Sequence, residues 1–98
     1  MRLLLCTDGS AYAERATRFG ALIGRAAQAE TVLLGIAEAA RFRPRVEASL
    51  AQLRDLIGDA LPGLTVKIRQ GHAAEQILEE SEAGEYDLIV IGSRGRRG

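Results

Sequence analysis

Residues 3–10 read Leu-Leu-Leu-Cys-Thr-Asp-Gly-Ser, an apolar run that ends at once in a turn. A short apolar run without alternation predicts a strand over residues 3–7 that is buried on both faces, as in the middle of a parallel sheet. Asp8-Gly9 is a turn signal, and Ser10 is a favourable N-cap. The stretch therefore predicts a strand, a tight turn and a helix in immediate succession.

The same alternation continues along the rest of the chain. Apolar runs over residues 31–37 and 87–91 predict two more buried strands, whereas residues 64–69 alternate apolar and polar and predict a strand with one wet face at a sheet edge. Residues with helical spacing lie between the strands. The stripe predicted for the first helix consists of Ala13, Ala16, Phe19, Ile23 and Ala26. The stripe predicted for the second consists of Val46, Leu50, Leu53, Ile57 and Leu61, and that for the third of Ala74, Ile77, Leu78 and Ser81.

This βαβαβαβ order predicts an α/β fold, namely an open parallel sheet of four strands in the order 3-2-1-4 with helices on both faces. The third strand, with its one wet face, favours that order because it is suited to an edge. The order 3-2-1-4 creates a topological switch point between the first and last strands. In such sheets, ligands bind at the carboxyl ends of the strands beside the switch point. Those ends carry Thr7-Asp8-Gly9 and Gly92-Ser93-Arg94-Gly95.

Composition excludes several classes of function. The chain has 98 residues, with 13 basic and 13 acidic residues and a formal net charge of zero, so no overall charge favours nucleic acid or an anionic membrane. Aromatic residues make up only 4%, which is unlike a base-stacking surface. The one cysteine, Cys6, cannot form an intrachain disulfide, and the N-terminal apolar run is too short for a signal peptide or a membrane span. We therefore expect a cytoplasmic protein.

Four segments together resemble the universal stress protein family: residues 1–10, 32–36, 71–78 and 87–98. The most specific is the last strand with its Gly92-Ser93-Arg94-Gly95-Arg96-Arg97-Gly98 loop, paired with the Asp-Gly-Ser turn after the first strand. The resemblance implies a Rossmann-like fold of the adenine nucleotide alpha hydrolase type, usually with a fifth strand. It also implies an ATP motif, G-x2-G-x9-G-[S/T], whose first half matches Gly92 and Gly95. The second half would lie beyond Gly98, so we expect residues 1–98 to form a single domain that lacks the last helix and strand of the family.

The resemblance implies a set of nucleotide-binding residues, each of which also has a structural interpretation. Asp8 would contact ribose or Mg²⁺, or else cap its own turn. Gly92 and Gly95 would let phosphate approach backbone N–H groups, or else only shape the turn. Arg94 would neutralise phosphate, or else remain solvated. Ile36 would present its backbone to adenine, or else belong to the core. The full predicted set is Thr7, Asp8, Ile36, Gly92, Ser93, Arg94 and Gly95.

The function implied is a stress-response regulatory module that binds ATP or AMP, with or without Mg²⁺, and forms a homo-oligomer. We predict that it is not an enzyme, because the sequence has no P-loop motif, nucleophile elbow or carboxylate pair with a poised histidine. His72 has no neighbouring ligands at metal spacing, and Cys6 is predicted to be an inert core thiol, so we predict no metal site. Two alternatives stay open, an interaction protein that acts through dimerisation without nucleotide, and a slow ATP hydrolase.

Overall fold

The structure is a computed structural model that describes residues 1–92. Its strands are β1 (Arg2–Thr7), β2 (Glu30–Ala37), β3 (Thr65–Gln70) and β4 (Leu88–Ile91). Its helices are α1 (Ala11–Ala27), α2 (Arg43–Ile57) and α3 (Ala73–Gly84). All strand pairs are parallel, and the sheet order is β3-β2-β1-β4. The predicted fold class and strand order are confirmed.

The sheet buries a separate apolar cluster on each face, because successive strand side chains point in opposite directions. Leu3, Leu5 and Leu33 lie on one face against α1 and α2. Leu4 and Leu34 lie on the other, in the cluster that Ala73 and Ile77 of α3 pack against. The predicted stripe of α2 is buried throughout, although the helix itself ends at Ile57 and a 3₁₀ turn over Gly58–Ala60 leads to Leu61.

The stripe predicted for α1 is wrong in part. Phe19 is 64% exposed and Ala26 is also exposed, whereas the buried face consists of Ala13, Thr17, Gly20, Ala21 and Gly24. Small residues occupy the buried face of α1 because the helix approaches the sheet closely. A methyl group at Gly20 would lie 2.5 Å from Leu5 Cδ2, which leaves no room for a larger side chain.

The stripe predicted for α3 is also wrong in part, since Leu78 and Ala74 are exposed and Glu80 is buried instead. Glu80 is 2% exposed, and its carboxylate is satisfied by hydrogen bonds from Lys67 and Arg69 of β3 and from Tyr86. A buried charge is tolerated only with such partners. The polar face of β3 is therefore the face from which Lys67 and Arg69 reach Glu80 of α3.

Candidate functional site

The carboxyl ends of β1 and β4 lie side by side at the point where the strand order reverses. Cys6 pairs with Ile91 in the parallel register, so Thr7 and Gly92 follow as the next residues on the two strands. α1 begins immediately after β1 and packs against both strands. The topology thus brings together two of the predicted loop segments, which are more than 80 residues apart in the sequence.

The turn after β1 is held by three hydrogen bonds from backbone amides to side chains. Gly9 N donates to Thr7 Oγ1 at 3.1 Å, and Ser10 N donates to Asp8 Oδ1 at 2.9 Å. Ser10 is the N-cap of α1, and its Oγ accepts from Ala13 N at 3.1 Å. The predicted cap is therefore confirmed, and Asp8 does bond its own turn. Its side chain stays exposed, held in a defined orientation at the edge of the sheet.

Gly92 has a packing role that the sequence did not indicate. A methyl group there would lie 2.9 Å from Ala13 Cα and 3.0 Å from Tyr12 O, and it would also collide with Ala16 Cβ. The end of β4 thus lies directly against the first two turns of α1. The φ of Gly92 is outside the left-handed region, so it is close approach rather than backbone conformation that requires glycine here.

Ile36 lies near the end of β2, where its side chain belongs to the cluster of Leu4, Cys6, Val32 and Leu34. Its side chain is therefore core, in agreement with one of the two interpretations. The remaining predicted site residues, Ser93, Arg94 and Gly95, lie outside the described residues.

Arg45, near the start of α2, is a further residue beside this turn, and it is not among the residues predicted for the site. Its Cγ lies 3.8 Å from the point where a side chain at Gly9 would begin, so its aliphatic stem runs beside the Thr7–Ser10 turn. It is exposed, and within residues 1–92 it takes part in no ion pair, unlike Arg43, which pairs with Glu47. The only sequence signal was the group of three arginines, Arg41, Arg43 and Arg45, in the connector after β2.

Neither the one cysteine nor the one histidine of the sequence belongs to the Thr7–Ser10 turn. Cys6 is buried, and burial, together with the charge of Glu80, raises the pKa of its thiol to about 12. His72 is exposed and precedes α3 at its N-cap position. Among residues 1–92, no group of three or more His, Cys, Asp or Glu side chains is placed to hold a metal ion. No helix in this part of the chain has the length and apolar composition that a membrane span requires.

Comparison with known proteins agrees with this architecture. The model of the universal stress protein family matches residues 1–98, the full length of the chain. The chain belongs to the universal stress protein family. No curated protein matches its sequence.

Several solved structures have the same fold, and two of those described next are named as universal stress proteins. A universal stress protein crystallised in complex with cAMP superposes with a TM-score of 0.78 at 18% identity, covering 93% of this chain and 75% of the other. The Rv1636 protein of Mycobacterium tuberculosis gives a TM-score of 0.78 at 18% identity, with 99% and 74% covered. UspA from Lactobacillus plantarum gives 0.71 at 21% identity, with 100% and 80% covered. At these identities the likeness establishes the fold.

Proposed function

We propose that this universal stress protein is a regulatory module that binds an adenine nucleotide, ATP or AMP, at the carboxyl ends of β1 and β4. The observation that carries the proposal is the position of the Thr7–Ser10 turn directly beside Gly92 at the switch point of the sheet. Crevices at such points are the usual ligand sites of open α/β sheets.

Each part of this edge has a role in the proposal. The Asp8 carboxylate has one oxygen held by Ser10 N, which leaves the other to accept a ribose hydroxyl. It is also a suitable ligand for Mg²⁺, which proteins bind through one or two carboxylates together with substrate phosphates. The backbone of Ile36 would face adenine, and the loop of Gly92, Ser93, Arg94 and Gly95 would hold phosphate.

Positive charge beside the turn supports an anionic ligand. Arg45 lies next to Gly9 without an ion-pair partner in the described part of the chain, and its guanidinium is suited to bidentate contact with phosphate. The first amides of α1, those of Ala11 and Tyr12, have no intrahelical acceptor and add partial positive charge at the same edge. The cAMP complex of a structural neighbour supports adenine as the base.

The proposed mode of action is regulation by binding in the cytoplasm, without efficient catalysis. Hydrolysis needs a base to activate water. Asp8 is the only carboxylate in the Thr7–Ser10 turn, and the sequence supplies no histidine beside it.

Isothermal titration of the 98-residue protein with ATP, AMP and cAMP, each with and without Mg²⁺, tests the proposal. We expect saturable heat with at least one of these nucleotides and none with GTP at equal concentration. No heat with any adenine nucleotide, at protein concentrations that would reveal millimolar binding, would exclude the function.

A second candidate is an interaction protein that acts through dimerisation without nucleotide. The open edge of β4 favours it, because among the described strands β4 pairs only with β1. An exposed strand edge is a template for a second chain. This candidate predicts that partners captured from cells are the same with and without added ATP, whereas exchange of partners on adding ATP would favour the nucleotide-binding module.

A further inference from the structure

The two helical layers of this protein carry opposite charge on their outer surfaces, although its net charge is zero. α1 has three arginines, Arg15, Arg18 and Arg25, against one glutamate. α3, on the opposite face of the sheet, has three exposed glutamates, Glu75, Glu79 and Glu82, and no basic residue, while its fourth glutamate, Glu80, is buried. The zero net charge thus hides a polarity across the sheet.

A shallow groove runs between α1 and α2 on the basic side. Ala21 and Ile57 form its floor, and its rim includes Leu22, Leu56, Arg18 and Arg25. Leu22 is 63% exposed and Leu56 is 52% exposed. The groove has a volume of about 190 Å³. Pockets that bind small molecules usually have volumes of at least roughly 300 Å³, so the groove is better suited to a side chain of another protein.

The outer face of α3 has the complementary chemistry. Leu78 is 59% exposed, and Glu75 and Glu82 lie three residues before and four residues after it, on the same side of the helix. Both glutamates are exposed, and neither forms an ion pair among residues 1–92. The face therefore offers a leucine between two free carboxylates, where the groove offers two leucines and two guanidinium groups.

We propose that the groove between α1 and α2 binds the outer face of α3 of a second copy of this chain. The two surfaces lie on opposite faces of one sheet, so they cannot meet within a single molecule. The contact is heterologous, because it joins two different surfaces. A pair of copies therefore still has one free groove and one free α3 face, and association can continue head to tail. Leu78 of the second copy would enter the groove beside Leu22 and Leu56. Arg18 and Arg25 at the rim of the groove would pair with Glu75 and Glu82 of the second copy.

The contact is independent of the proposed nucleotide site, since neither surface includes the Thr7–Ser10 turn or Gly92. It is also distinct from pairing at the edge of β4. We expect it to be weak and transient because the patch is small. Its charged rim makes it sensitive to salt, since solvent-exposed pairs are screened at physiological ionic strength.

Charge reversal on each surface separately provides the test. A groove variant, R18E/R25E, would make both surfaces acidic, and a face variant, E75K/E82K, would make both basic. All four side chains are exposed and outside the ion pairs of the described residues, so we expect both variants to fold, which thermal unfolding checks. Arg54 of α2 is exposed and does not line the groove, so R54E shows the effect of reversing an arginine elsewhere on the same helical layer.

We expect the wild type to self-associate more strongly in sedimentation at low salt than at high salt, and each variant alone to lose this salt-dependent part, because pairing at the β4 edge involves no charged side chain. The tagged groove variant should capture the face variant at least about tenfold better than it captures untagged groove variant, because mixing restores opposite charges at every contact. A chain with all four reversals has zero net charge again and should associate like the wild type. Equal capture in the matched and mixed pairings would show another route of association, such as the β4 edge, and would overturn the proposal. Absence of capture in the mixed pairing would overturn it as well.

Discussion

The hydroxyl of Tyr86 donates a 2.7 Å hydrogen bond to Oε2 of Glu80, a carboxylate that is almost fully buried. The same oxygen accepts from Lys67 Nζ at 3.1 Å, and Oε1 accepts from Arg69 Nε at 3.1 Å. Lys67 and Arg69 belong to β3 at one edge of the sheet, whereas Tyr86 lies two residues before the start of β4 at the other. One glutamate of α3 therefore links the two outer strands across the face of the sheet.

Replacing Tyr86 with Phe should lower the free energy of unfolding by about 1–2 kcal/mol, because it removes a hydrogen bond to a charged acceptor and keeps the ring. Urea denaturation measures the change. Tyr12→Phe is the matched control, since the Tyr12 side chain is exposed and its hydroxyl has no partner in residues 1–92. Equal stability of the two variants would contradict the role assigned to Tyr86.

Acid should remove the stabilisation that Glu80 provides. Burial by itself would raise the pKa of Glu80, but the hydrogen bonds from Tyr86, Lys67 and Arg69 outweigh it and hold the pKa below the ordinary value of 4.5. A carboxyl group with a lowered folded-state pKa contributes fully above its unfolded-state pKa, and the contribution is lost as the pH falls through the folded-state pKa. The stability advantage of the wild type over Glu80→Gln should therefore be constant between pH 6 and 7 and shrink below about pH 4.5. A difference that stays constant down to pH 3 would show that the charge of Glu80 contributes nothing.

Gly92→Ala should destabilise the protein by about 1–3 kcal/mol even without ligand, because the added methyl group overlaps the first turns of α1. Gly58→Ala is a control of the opposite sign. Position 58 has a right-handed backbone and open space around it, so alanine there should stabilise by about 0.4–1 kcal/mol. Thermal unfolding of both variants gives the comparison. A Gly92→Ala protein as stable as the wild type would show that β4 and α1 are less closely packed.

Asp8→Asn should weaken binding of ATP or AMP by about tenfold and change stability by less than about 0.5 kcal/mol. Asparagine keeps an oxygen that can accept from Ser10 N but removes the charge that a ribose hydroxyl or Mg²⁺ would meet. Asp55→Asn, an exposed carboxylate on α2, controls for the loss of one negative charge. Unchanged affinity in Asp8→Asn, measured by titration, would remove Asp8 from the binding site.

The outer edge of β4 should cause self-association of the 98-residue protein. Residues Leu88–Ile91 contain no charge or proline, and Ile91 is 54% exposed, so the edge lacks the features that usually prevent pairing. Ile91→Lys should shift the protein towards the monomer in sedimentation at concentrations on the order of tens of micromolar. Ala48→Lys, exposed on α2, should have no such effect. A wild-type protein that stays monomeric under these conditions would contradict the prediction.

The sequence by itself determined the order of the elements, the strand order and which strand ends meet at the switch point. Apolar runs predicted strands covered on both faces, which holds for β1 and β2. The same prediction is wrong for β4, which is only partly buried because it is the outer strand on its side of the described sheet, with Ile91 54% exposed. The alternation of residues 64–69 predicted a wet face and so an edge. These patterns, with right-handed crossovers, leave Asp8 and Gly92 at neighbouring strand ends. Local chemistry also sufficed for the turn, since its hydrogen bonds join residues at most three positions apart.

Only the tertiary structure decided which side of each helix faces the sheet and which distant residues lie against the Thr7–Ser10 turn and Gly92. Periodicity gives the angle of a side chain around its helix, but it does not tell how close the sheet lies, so Phe19 was expected inside where Gly20 is required. A buried Glu80 is stable only because Lys67 and Arg69 reach it from another strand. The contacts of Gly92 with α1 and of Arg45 with the Gly9 turn join residues far apart in the chain, and such contacts leave no local pattern in the sequence.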